Sequence, residues 1–103
     1  MKRRVLFKFT PPFQAQKVTL AGTFNGWNKE ATPICDPDSD GVWEVIIILE
    51  EETYQYKFVV NGSQWFYDPD SDDHAPDGFG GMNSVIHVDD RFEKVTLKRG
   101  DVF

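Results

Sequence analysis

Tyr54-Gln55-Tyr56-Lys57-Phe58-Val59-Val60, then Asn61-Gly62-Ser63, then Gln64-Trp65-Phe66-Tyr67, reads as a strand, a tight turn and a returning strand. Side chains alternate across a strand, so Tyr56 and Phe58 share one face and Lys57 takes the other. Upstream, Val42 to Leu49 is β-branched and nearly continuous, which predicts a central strand. Lys17 to Ala21 alternates with Val18 and Leu20 inward, and Val5 to Phe9 alternates with Val5, Phe7 and Phe9 inward. Pro11-Pro12 stops the first of these runs, and Asn25-Gly26 and Pro33 to Gly41 are turn chemistry. Downstream, Asp68 to Gly81 reads as a polar loop and Ser84 to Val88 as a strand, with Val95-Thr96-Leu97 as one more.

Nowhere does apolar spacing at i, i+3, i+4 persist for ten residues, so helices are not expected. Seven to eight short strands separated by turns predict an all-β sandwich, immunoglobulin-like in size. The 103 residues suit a single domain, with 90–103 a C-terminal extension or extra strand. Asp36-Pro37-Asp38-Ser39-Asp40 recurs as Asp68-Pro69-Asp70-Ser71-Asp72, an echo too short to define a structural repeat.

The net charge of −6 is unevenly spread. Residues 1–29 carry +6, residues 30–90 carry −14 and residues 91–103 carry +2. So acidic a middle repels phosphate backbones and anionic lipid, which argues against nucleic-acid and membrane partners. The basic ends are expected to pack beside the acidic middle and neutralise it locally. The single Cys35 cannot form an internal disulfide. No apolar run approaches the ~18 residues of a membrane span, and no apolar segment follows the basic N-terminus as in a signal peptide. The expected setting is cytoplasmic.

Three side chains stand out. Trp27 follows the turn at Asn25-Gly26, outside any alternating run, and Trp65 opens the returning strand of the hairpin. Each reads equally as a cover for the sandwich or as an exposed flat platform. Trp43, inside Val42–Leu49, reads as packing. Lys57 is the sole base among residues 30–90, which hold 15 acids. It reads as a counter-ion to a nearby carboxylate or as a hydrogen-bond donor to a neutral sugar. Pyranose C–H faces stack on tryptophan, and sugar hydroxyls accept from Lys and Asn.

Val18-Thr19-Leu20-Ala21-Gly22-Thr23-Phe24-Asn25-Gly26-Trp27 resembles the opening of the glycogen-binding domain of the AMP-activated protein kinase β-subunit. Tyr54 to Gly62, Gln64-Trp65 and Asp68-Pro69 resemble its second half, and Gly80, Asn83, Val85, Ile86 and Val88 its last strand and preceding loop. This is carbohydrate-binding module family 48, to which the N-terminal β-domains of isoamylases, pullulanases and glycogen-branching enzymes are related. The resemblance covers roughly residues 5–88. It implies an immunoglobulin-like (E-set) sandwich that binds α-1,4-linked glucans such as glycogen and starch without catalysis. It also implies roles: Trp27 and Trp65 as stacking platforms, Lys57 and Asn83 as donors to hydroxyls, and Phe79 where the family places a leucine that reaches past the sugar. An aromatic at Phe79 either stacks on the ligand or blocks it. Gly81 stands where the family has a sugar-contacting threonine, and Ser63 looks like an insertion before Trp65. The alternative is an interaction module or subunit that docks on a glycan-metabolising enzyme or kinase, with the sugar site weakened or lost.

Other chemistries fit the residues less well. Asp36-x-Asp38-x-Asp40-Gly41 matches the start of a calcium loop, but its twelfth position is Ile47. The copy from Asp68 has Asp73 at the glycine position and Phe79 at the twelfth. Turn-forming acidic loops are expected, with no metal and no cofactor. His74 and His87 lack partners at metal spacing, and Ser39, Ser63, Ser71 and Ser84 lack a nucleophile-elbow context. Glycoside hydrolysis needs two carboxylates facing across a cleft, for which a sandwich this small has little depth.

Overall fold

The computed structural model describes residues 1–95. Nine strands follow in order: β1 (Lys2–Phe9), β2 (Val18–Gly22), β3 (Pro33–Ile34), β4 (Trp43–Glu50), β5 (Thr53–Val60), β6 (Gln64–Phe66), β7 (Asp73–Pro76), β8 (Met82–His87) and β9 (Glu93–Lys94). They form two antiparallel sheets. One has the order β4-β1-β9; the other runs β3-β2-β5-β8-β7, with β6 also paired to β5. The expected all-β architecture is present, with more strands than the seven or eight foreseen.

The sheets meet through the side chains that alternation placed inward. Val5, Phe7 and Phe9 of β1 and Tyr56, Phe58 and Val60 of β5 are all buried. The Phe9 and Phe58 rings stack with centroids 4.4 Å apart, and Phe7 meets Tyr56 edge-on at 4.9 Å. Such aromatic pairs contribute about 0.5–1.5 kcal/mol each beyond the area they bury. Trp43 packs half-buried against this core.

Two expectations need correction and two need completion. Val42–Leu49 does not give a central strand: β4 lies at the edge of the smaller sheet, and β1 is central. Its apolar run divides in the ordinary way, with Val45, Ile47 and Leu49 packed on the core and Ile46 exposed beside Leu6 of β1. The loop 68–81 contains β7, whose Asp-His-Ala-Pro sequence carries no apolar alternation but pairs with Met82–Val85. Val18 and Leu20 of β2 are buried as expected, and Thr19 and Ala21, which lie opposite Val59 and Lys57 of β5, are buried as well. The last strand among the described residues is β9, at Glu93–Lys94; Val95, where a further strand was expected to begin, lies outside any strand, and Thr96 and Leu97 lie outside the described residues.

The basic N-terminus does meet the acidic middle. Arg3 places two nitrogens 2.7 and 2.9 Å from Glu51 Oε1, and the Met1 amino group lies 3.2 Å from Glu50.

Candidate functional site

Lys57 occupies a special place in β5. One edge of the strand pairs with β2, which sets the small Ala21 opposite Lys57. The other edge is shared: residues 53–56 pair with β8 and residues 58–60 with β6. Lys57 sits where the first partner gives way to the second. Its outward side chain therefore has a short neighbour on one side and a gap on the other. The loop between β7 and β8 drops into that gap. Lys57 Nζ donates to Asp77 Oδ2 at 2.6 Å.

Asp77 organises the loop it belongs to. Its Oδ1 accepts the Phe79 N–H at 2.7 Å and the Gly81 N–H at 3.0 Å, and its own N–H donates to the Gly81 carbonyl at 3.1 Å. The Lys57 hydrogen bond, then the Phe79 and Gly81 N–H groups, pull the Asp77 carboxyl down to about 2. Gly81 makes this possible: a β-carbon there would lie 2.7 Å from Asp77 Oδ2. The ring of Phe79 is 95% exposed at the tip of the loop, between Gly78 and Gly80, which hold φ of 85° and 87°.

Trp27 reaches the same region from the other end. Thr23–Asn25 forms one 3₁₀ turn, and Gly26 and Trp27 both take left-handed φ, 67° and 60°. The Asn25 side chain clamps this turn: its Oδ1 accepts the Gly22 N–H at 3.0 Å, and its Nδ2 donates to the Leu20 carbonyl and Thr32 Oγ1 at 2.8 and 3.0 Å. The Trp27 N–H donates to the Gly22 carbonyl at 2.8 Å, which fixes where the indole leaves the backbone. Trp65, opposite Val59 on β6, is 43% exposed. Lys29 Nζ donates to the Gly62 carbonyl at 2.7 Å and so ties the Trp27 loop to the hairpin that carries Trp65.

Asn83 is nearly buried on β8, where Nδ2 donates to Gln55 Oε1 at 3.0 Å. Beneath the site, Tyr56 OH donates to Asp68 Oδ2 at 2.6 Å and the Asp68 N–H to Ser84 Oγ at 2.6 Å. Burial, and then the bond to Asp68, raise the Tyr56 phenol well above its ordinary value.

The five side chains singled out from the sequence converge. Trp27, Lys57, Trp65, Phe79 and Asn83 line one open pocket of about 490 Å³, with Asp77 as the sixth wall. Sequence reading missed Asp77, Gln55 and Lys29. Asp77 carried one usable signal, the glycine at 81. Two flat indoles, a carboxylate-paired cation and a carboxamide in an open apolar hollow suit a ligand with alternating C–H faces and hydroxyls. The acidic loops serve their own backbones: Asp36 accepts the Asp40 and Gly41 N–H groups, and Asp68 accepts that of Asp70.

A family model described as the glycogen recognition site of AMP-activated protein kinase matches residues 4–94. Among individual proteins, the chain is 37% identical over 73 residues to the 5'-AMP-activated protein kinase subunit beta-2 of Mus musculus, covering 71% of this chain and 25% of that protein. It is 35% identical over 86 residues to subunit beta-1 of Sus scrofa, covering 84% of this chain and 64% of that protein. Subunit beta-1 of Bos taurus is 36% identical over 86 residues, covering 84% and 29%. The chain thus spans 25% of the length of the first of these relatives.

Proposed function

Since this chain belongs to the family of the glycogen recognition site of AMP-activated protein kinase, we propose that it binds α-1,4-linked glucans without catalysing their turnover. One observation carries the reading: Trp27, Lys57, Trp65, Phe79 and Asn83, drawn from four separate segments, line a single open pocket. In this reading Trp27 and Trp65 stack on glucose faces. Lys57 has two ammonium hydrogens left after Asp77, and these donate to hydroxyls. Asn83 offers its remaining amide capacity, and the exposed Phe79 ring adds an apolar contact. The setting is cytoplasmic, and the relatives' names suggest a place beside a kinase.

Retention on glycogen or amylose tests this, compared between the parent chain and the double variant Trp27→Ala, Trp65→Ala. Single-site affinity should be about −4 to −8 kcal/mol, equivalent to mM to µM, and nearly independent of salt because the ligand is neutral. No retention of the parent chain would overturn the reading. Release of reducing sugar by the pure protein would make it an enzyme instead.

One observation favours a second role beside the first. Leu6 and Ile46 sit side by side on the outer face of the smaller sheet, 54% and 56% exposed, away from the pocket. That face suits docking on a partner protein while the pocket holds sugar.

A further inference from the structure

The pocket holds a fixed anion beside its cation. Asp77 Oδ2 is 2.6 Å from Lys57 Nζ, and Asp77 Oδ1 is held by two backbone N–H groups. The carboxylate side chain is only 10% exposed and the lysine side chain 16%, and both line the pocket, so the pair is largely shielded from bulk solvent. Three donors converge on one carboxylate, in a space that exists because residue 81 has no side chain. A lysine free in an aromatic hollow would attract any anion. Paired with Asp77, it presents directed N–H donors with no net charge.

We propose that Asp77 is a specificity-determining residue that restricts the pocket to neutral glucans and turns away phosphate- or sulfate-bearing ones. The inference rests on the glucan reading above. A sugar hydroxyl uses the free ammonium hydrogens and the spare lone pair of Oδ2 together. A sulfate or phosphate oxygen seated against Lys57 would lie beside the Asp77 carboxylate, and discrimination built on such like-charge proximity is strong. To be accepted, the anion would have to displace Asp77, which would also release the N–H groups of Phe79 and Gly81. The aromatic tip would lose its anchor in the same event.

The test uses β-cyclodextrin, a neutral cyclic α-1,4-glucan, and its sulfated form, with affinities measured by titration calorimetry. The parent chain should bind the sulfated ring about tenfold or more weakly than the neutral one. Asp77→Asn, which keeps the shape and an acceptor for the loop, should bring the two within about threefold. Glu30→Gln removes the same formal charge from an exposed pair with Lys17, outside the pocket lining, and should leave the ratio unchanged. Amide exchange at Phe79 and Gly81 provides a readout free of sugar: slow in the parent, fast in Asp77→Ala if the carboxylate holds the loop. Equal affinity of the parent for both rings would overturn the inference and leave the glucan reading standing. So would a ratio unmoved by Asp77→Asn, or moved equally by Glu30→Gln. No binding of the neutral ring would overturn both.

Discussion

Lys57 and Asp77 lie twenty residues apart in sequence and 2.6 Å apart in space, joined across the point where β5 changes partners. The pair gives Lys57 both meanings that its isolation in the acidic stretch allowed. It is a counter-ion to a carboxylate, and it retains hydrogens to donate.

Acid should loosen this pair before it loosens the core. Lys57, Phe79 and Gly81 lower the Asp77 carboxyl to about 2 in the folded chain. A lowered carboxyl stabilises the fold fully above its unfolded value near 3.9 and ceases to do so as pH falls through the folded one. The stability difference between the parent and Asp77→Asn should therefore shrink between about pH 4 and pH 2. Thermal melts at half-unit pH steps measure it; a difference constant across that window would refute the assignment.

Trp27 holds a backbone conformation that suits glycine, with φ of 60°. A side chain in this region costs about 1–2 kcal/mol. Trp27→Gly should therefore be more stable than Trp27→Ala by about that amount, while both lose glucan retention alike. Urea unfolding and amylose retention on the same samples separate the two effects.

Thr19 is 1% exposed, and its Oγ1 has no hydrogen-bond partner among the described residues. A buried polar atom left unpaired costs about 1–3 kcal/mol. Thr19→Val keeps the β-branch and removes the hydroxyl, so it should stabilise the chain by about 1 kcal/mol and raise Tm by about 4–8 °C. A lower Tm would mean the hydroxyl is satisfied in solution.

Tyr56 should show itself at alkaline pH. Its phenol is raised by burial and by the bond to Asp68, so its contribution is whole below the unfolded value near 10 and is lost as pH rises past it. Tyr56→Phe should cost about 1–3 kcal/mol at neutral pH, because it strips the buried Asp68 of a donor. That difference should narrow above about pH 10. Denaturant melts at pH 7 and pH 11 make the comparison.

Periodicity made the core legible. The Val5, Phe7, Phe9 and Tyr56, Phe58 alternations, and the turn at Asn61-Gly62, state their faces within a few residues. Sheet position was less legible, since Ile46-Ile47-Ile48 looks alike whether both faces are covered or one faces solvent. Strand β7 was invisible because its pairing with β8, not its own side chains, defines it. Trp27, Lys57 and Trp65 stood out by their positions in the sequence, while Phe79 and Asn83 were reached through motif resemblance. Asp77 was not, because its role depends on a space left by Gly81 and on a lysine from a distant strand.

The edge position of β4 has a bearing on how copies of this chain behave when crowded. Glu44 is already bridged to Cys35 at one end of the edge, and alternation along the strand leaves the Ile46 and Ile48 backbone groups facing outward. A second copy pairing antiparallel about Ile47 would set Glu44 against Glu50 at both ends of the new ladder. Like charges directly opposite one another destabilise such pairing. The two glutamates thus act as gatekeepers of a sticky isoleucine run, a protection that weakens as salt screens their repulsion.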